Sequence, residues 1–194
     1  MTDTNAKILP ALDRAALKAI IKARSFSQGT NVTLASGRAS TFYFDMKPTM
    51  LDPNGAVQVA LAMADIIAPL DADYVGGLAM GAVPIVSSIA PVSAIAGAPI
   101  EVFFVRKEAK GHGAQRQIEG LAAGETLEGK KVVIVEDVTT TGGSALQAVE
   151  VVRAAGGTVA DIVTIVDREE GAEANLTPEG ITLHAVFKAS EFKD

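Results

Sequence analysis

The chain has 194 residues, 48% of them hydrophobic, with 17 basic against 23 acidic side chains and a formal net charge of -6. That is enough apolar material for one core that needs neither disulfides nor a structural metal, and the absence of cysteine excludes a thiolate nucleophile and every Cys-ligated zinc or iron–sulfur site. The negative balance argues against a surface that coats nucleic acid. The opening MTDTNAKILP lacks the layout of a secretion signal, and no stretch reads as the roughly 18 apolar residues of a membrane span, so the expectation is a single cytoplasmic domain over residues 1–194, with no nucleic acid and no membrane among its partners.

Asp13 is placed to cap a helix over about 14–24, where Leu17, Ile20 and Ile21 share one face. NVTLASGRASTFYFD holds two β-rich runs separated by Ser36, Gly37 and Arg38, which predicts a hairpin. Asp52-Pro-Asn-Gly reads as a break, followed by helical spacing over 56–68. Tyr74-Val75 starts a strand, 82–96 is helical despite Pro84, and IEVFFV at 100–105 reads as one strong strand. After a polar segment, KVVIVEDV is a buried-strand pattern, 143–155 a helix, VADIVTIVD at 159–167 a strand and ITLHAVF at 181–187 a terminal strand. Such alternation predicts an α/β fold with a mainly parallel sheet flanked by helices.

The densest chemical signal is VVIVEDVTTTGGSA at 132–145. Four aliphatic residues deliver Glu136 and Asp137 to a strand end, and hydroxyls and glycines then lead into the next helix. Carboxylates accept hydrogen bonds from sugar hydroxyls, while peptide N–H groups, hydroxyls and a helix N-terminus receive phosphate oxygens. Two adjacent acids alone would equally suit an ordinary strand and helix cap. The run is neither an ATP-type P-loop nor a GxGxxG turn. A second signal is the loop from Arg106 to Arg116, whose four cations and one acid give a local charge of +3. It is suited to neutralising a departing diphosphate, although cation runs are also common on plain surfaces.

The run at 132–145 resembles the phosphoribosyl-diphosphate signature of the type I phosphoribosyltransferase family, and RKEAKGHG at 106–113 is similar to the orotate-using branch of that family. The resemblance spans about residues 30–185. It implies a type I phosphoribosyltransferase fold, with about residues 1–50 and C-terminal elements forming a small hood. It implies that Glu136 and Asp137 contact the ribose hydroxyls, with Asp137 also assisting catalysis by stabilising charge. The 5'-phosphate would lie among Val138, Thr139, Thr140, Thr141, Gly142, Gly143, Ser144 and Ala145. Arg106, Lys107, Lys110, His112 and Gly81 would form the diphosphate site, with Lys110 catalytic.

For the base, the resemblance implies contacts from Tyr43, Phe44, Thr140 and Arg168, the last to the carboxylate of orotate. Arg168 could instead pair with Glu169 or Glu170. Where the family often carries lysine, this chain has Ala35 and Gly81, and Lys47 is a possible substitute for the first. His184 belongs to no motif and reads as a strand residue. The implied activity is transfer of the phosphoribosyl group from 5-phospho-α-D-ribose 1-diphosphate to N1 of orotate, a step of UMP biosynthesis. It would use magnesium held mainly by the ligands, in a homodimer whose loop reaches the neighbouring active site. A transferase for another base, or a non-catalytic sensor of phosphoribosyl diphosphate, are the competing expectations.

Overall fold

A computed structural model describes residues 9–33, 39–108 and 117–193. The first helix, α1 (Arg14–Arg24), starts where the Asp13 side chain accepts from the Ala16 N–H at 2.9 Å, and it buries Leu17 and Ile21. An antiparallel ribbon follows, β1 (Phe26–Thr33) with β2 (Ala39–Phe44), its register shifting between Gln28 and Val32. The hairpin is therefore present, and its turn at 34–38 lies outside the described residues. A short helix α2 (Lys47–Met50) leads into α3 (Pro53–Ile67). Asp52-Pro-Asn-Gly is a helix start rather than a break: Asp52 accepts from Gly55 N–H at 2.9 Å and pairs with Arg24 at 2.8 Å, and proline suits the first helical position.

The helical segment Pro53–Leu70 is 18 residues long with a mean hydropathy of 1.2, long and apolar enough by length and composition to cross a membrane, although Asn54, Gln58 and Asp65 interrupt its apolar run. Its apolarity has another use, because Val59, Ala60, Ala62, Met63 and Ile67 are buried in the core, and the helix packs on α1, on the next long helix and on the sheet.

The body of the molecule continues with β3 (Tyr74–Gly76), α4 (Ala82–Ile95), β4 (Glu101–Val102), β5 (Phe104–Val105), β6 (Ile118–Glu119), β7 (Lys131–Thr139), α5 (Gly143–Ala154), β8 (Thr158–Asp167), α6 (Ala172–Leu176) and β9 (Thr182–Lys188). Five strands make a wholly parallel sheet in the order β4-β3-β7-β8-β9. Along β7 the side chains alternate between two cores. Val133 and Val135 join α3, α4 and the hairpin, whereas Val132 and Ile134 join α5 and α6. The layers are thus helix, sheet, helix, as the sequence alternation predicts.

The run 100–105 is not one strand. Glu101 and Val102 pair in parallel with β3, while Phe104 and Val105 turn away to pair antiparallel with β6 in a separate ribbon. Phe103, 1% exposed, fills the junction, and its N–H still donates to the Val75 carbonyl at 3.0 Å. The apolar run is continuous because it serves two sheets in succession.

At one end of the sheet the ribbon β1–β2 is closed by the C-terminal segment. The Phe192 ring lies 5.8 Å from Phe26, 5.2 Å from Phe44 and 5.5 Å from Phe187, and Glu191 pairs with Arg14 at 2.9 Å. Aromatic residues from both chain ends thereby make one cluster with tilted and edge-on contacts.

Candidate active site

In an open parallel sheet, ligands bind beyond the carboxyl ends of the strands where the chain reverses its direction of winding. That point lies between β3 and β7, since the chain steps from β3 outward to β4 and returns on the other side as β7. A cleft of about 180 Å³ opens there. Its walls include Gly81 from the β3–α4 turn, Lys107 after β5, Glu136, Asp137 and Val138 of β7, and Ser144 and Ala145 of α5. Residues far apart in sequence are brought together by the topology alone. An adjoining depression of about 400 Å³ shares Ala79, Met80 and Lys107 with it and adds Arg106.

The two acids are still within β7, which runs on through Thr139. Glu136 Oε2 accepts from the Thr139 hydroxyl at 2.6 Å. Burial raises the Glu136 pKa from 4.5 to about 7, the Thr139 hydrogen bond pulls it down and the neighbouring Asp137 charge adds to the rise. Glu136 therefore exchanges its proton near neutrality. Burial also raises the pKa of Asp137, opposed by the N–H of Val138, which donates to its Oδ1 at 3.0 Å, and by the ammonium of Lys47.

Gly81 is packed directly on Asp137. A Cβ built at this glycine would fall 2.6 Å from Asp137 Oδ1, inside contact distance. With Asp137 as it stands, there is no room at Gly81 for the lysine that the family resemblance leads one to expect there. At the start of α2, Lys47 pairs with Asp45 at 2.6 Å, and that hydrogen bond raises its pKa, with smaller contributions from Tyr43 and Asp137. Sequence reading raises Lys47 only as a neighbour of Ala35. Its electrostatic link to Asp137 has no local signal, because 90 residues separate the two.

Beyond the acids, Thr139 is fully buried with its hydroxyl committed to Glu136, which leaves Thr140, Thr141, Gly142 and Gly143 as the turn. Gly142 has φ 83, a left-handed conformation that favours glycine, and α5 begins with no side-chain cap. The first N–H groups of that helix are thus left for an external acceptor, the usual basis of phosphate binding.

Arg168 follows the end of β8, and its N–H donates to the Thr139 carbonyl at 2.9 Å. Its side chain is buried and pairs with Glu170 at 2.8 Å, the alternative that the sequence leaves open. Of the aromatic pair, Tyr43 is exposed while the Phe44 ring is buried against Phe26 and Phe192. With its ring packed in the aromatic cluster, Phe44 offers its backbone groups to the hairpin side of the site. Phe42 packs on Phe26 and Phe44, and its ring also lies 4.4 Å from the Arg168 Cζ. Arg106 pairs with Glu119 at 3.4 Å. His184 pairs with Asp161 of the neighbouring strand β8 at 2.7 Å, and it is not among the residues lining the cleft. Lys110, His112 and Ala35 lie outside the described residues.

A doubly wound sheet with paired acids and a glycine turn at its switch point defines an enzyme that handles a sugar phosphate or nucleotide. A phosphoribosyl transferase domain model matches residues 51–187. The orotate phosphoribosyltransferase of Rhodopseudomonas palustris (strain BisB18) is 54% identical over 92% of this chain and 95% of its own length. That of Aquifex aeolicus is 43% identical over 93% and 97%. Among solved structures, Mycobacterium tuberculosis orotate phosphoribosyltransferase in complex with 5-phospho-α-D-ribosyl 1-diphosphate superposes with a TM-score of 0.74 at 34% identity, covering 92% of this chain and 98% of that one. The chain belongs to the orotate phosphoribosyltransferase family.

Proposed function

We propose that the chain transfers the phosphoribosyl group from 5-phospho-α-D-ribose 1-diphosphate to N1 of orotate, forming orotidine 5'-phosphate and diphosphate. The observation that carries this reading is the cleft in which Glu136, Asp137 and the start of α5 face Lys107 and the Gly81 turn. The 5'-phosphate is received by the turn from Val138 to Ala145, and the ribose hydroxyls donate to Glu136 and Asp137. Positive charge growing at the anomeric carbon is stabilised by the Asp137 carboxylate, and the departing diphosphate by Arg106, Lys107, Lys110 and His112. Orotate enters as an anion, so no strong base is needed. Its ring lies by Tyr43, with Thr140 beside it and its carboxylate on Arg168.

Among the described residues no group of three or more acidic or histidine side chains could cage a metal ion. The donor set present, two adjacent carboxylates on a strand end, fits magnesium that arrives on the diphosphate and keeps its own waters. Such an ion supplies charge neutralisation to the leaving group. The functional unit is a homodimer in which the 106–116 loop of one subunit closes on the site of the other.

The test is to incubate purified protein with magnesium, phosphoribosyl diphosphate and a panel of bases, following nucleotide and diphosphate together. Equal release of orotidine 5'-phosphate and diphosphate is expected. Turnover of a different base alone, or ligand binding without turnover, refutes it. Lys110→Ala is expected to reduce turnover with an unchanged melting temperature, and wild-type activity in that variant removes Lys110 from catalysis.

A further inference from the structure

The turn that leads into α5 is backed by α6, a short helix that no motif singles out. Asn175 Nδ2 donates to the Thr141 carbonyl at 3.0 Å, across 34 residues of sequence. Beside it Leu176, fully buried, packs on Gly142, where a Cβ would fall 3.1 Å from the leucine Cδ2. One contact is polar and the other apolar, and they fall on consecutive residues of the turn. α6 contributes none of the described residues that line the cleft, so it touches the turn from outside the cleft.

α6 has its own anchors. Leu176 belongs to the core cluster that holds Ala145 and Val149 of α5, and its carbonyl accepts from the Ile181 N–H at 3.2 Å just before β9. Arg153, in the last turn of α5, donates to the Glu179 carbonyl at 2.9 Å and pairs with the Glu179 carboxylate at 3.3 Å. The segment 172–179 is therefore tied to α5 near both ends of that helix, and it meets the turn as a fixed support.

The bond to Thr141 has a directional consequence. A trans peptide is planar, with its C=O and N–H pointing in opposite directions. With the Thr141 carbonyl turned toward α6, the Gly142 N–H of the same peptide is turned away from it. Gly142, at φ 83, and Gly143 would otherwise give this stretch wide backbone freedom. Holding the peptide beforehand removes part of the ordering cost that a ligand meets on binding.

We infer that Asn175 is a positioning residue for the 5'-phosphate: it fixes the Thr141–Gly142 peptide so that the Gly142 N–H, with the first N–H groups of α5, is presented to the phosphate oxygens. This rests on the transferase reading above, which puts the 5'-phosphate in this turn. Asn175 touches no substrate and acts only through the turn. Diphosphate and base meet other residues, so a change at Asn175 is felt at the 5'-phosphate.

The test is Asn175→Ala, with Asn175→Leu as a second variant that keeps the bulk of the side chain and removes the donor. Calorimetric titration uses two probes, ribose 5-phosphate for the turn and magnesium diphosphate for the other end of the site. Both variants are expected to bind ribose 5-phosphate about fivefold more weakly, the scale of one neutral hydrogen bond, and to bind diphosphate as wild type does. In turnover, the KM for phosphoribosyl diphosphate is expected to rise by about the same factor with kcat within about twofold. Asn175 is exposed, so the melting temperature should move little. Unchanged affinity for ribose 5-phosphate overturns the inference and leaves the transferase reading standing. An equal loss for both probes also overturns it, since that marks a general structural role. A wild type that does not bind ribose 5-phosphate removes the phosphate from the turn and the inference with it. Absence of turnover with orotate, with the selective loss of ribose 5-phosphate binding intact, sinks the transferase reading and not the role of Asn175.

Discussion

The carboxylate of Glu136 is expensive to hold, and replacing it with glutamine should make the free protein more stable. Glutamine keeps the shape and keeps an oxygen to accept the Thr139 hydroxyl at 2.6 Å, so the change removes only the charge. The pKa of Glu136 is raised from 4.5 to about 7, with burial the largest cause. Below pH 4.5 the group is protonated whether folded or unfolded, and burial costs nothing. Between 4.5 and 7 the unfolded chain loses its proton first, so folding is penalised progressively, and above 7 the penalty is complete.

At about 1.4 kcal/mol per pH unit the full penalty is about 3 kcal/mol. Because the side chain lines an open cleft and keeps some exposure, solvent screening reduces this to about 2 kcal/mol. Glu136→Gln is therefore expected to gain about 2 kcal/mol at pH 8, or about 4–8 °C in melting temperature for a chain of this size, and to gain nothing at pH 4.5. Urea denaturation of both proteins from pH 4.5 to 8, without magnesium or substrate, reads the difference directly. Stability curves that stay parallel over that range would refute the assigned burial penalty, and a variant less stable at pH 8 would reverse its sign. The gain should come with lost turnover if Glu136 is the group offered to the ribose, as in the proposed function.

Other outcomes follow from the same geometry. Gly81 has φ -55, so Gly81→Ala strains no backbone, and its effect falls on the Asp137 carboxylate 2.6 Å away; kcat/KM should drop by about tenfold or more with little change in melting temperature, and full activity would show that Asp137 can move without consequence. Phe192→Ala empties the centre of the aromatic cluster and should cost about 3–5 kcal/mol in urea; a loss under about 1 kcal/mol would mean that the C-terminal segment does not hold the hairpin. Asp52→Ala removes both the cap of α3 and the Arg24 pair and should cost about 1–2 kcal/mol with turnover at saturating substrate unchanged, so a fall in kcat would place α3 in the chemistry.

What could be read in the sequence and what could not divides along the range of the interactions involved. The strands β7 and β8 are legible because a parallel strand in the middle of a sheet needs a long aliphatic run, and such runs are written locally, while β9 at the sheet edge keeps enough of that pattern to be read. The same rule misleads at 100–105, where one run supplies two sheets and only the packing of Phe103 shows the change of direction. The short elements α2, β6 and α6 carry too few residues for a period to show. In the site, Glu136 and Asp137 are adjacent and stand at the end of a strand, so their pairing is visible without coordinates. The closeness of Gly81 to Asp137 is not, because it depends on β3 and β7 being neighbours. Arg168 falls between these cases. Its pairing with Glu170 is a contact two residues long and was open to local reading, yet its stacking on Phe42 spans 126 residues and exists only once the hairpin has folded over the end of the sheet. Local sequence therefore supplies the charged groups of the site, and the fold decides which of them are held still enough to recognise a substrate.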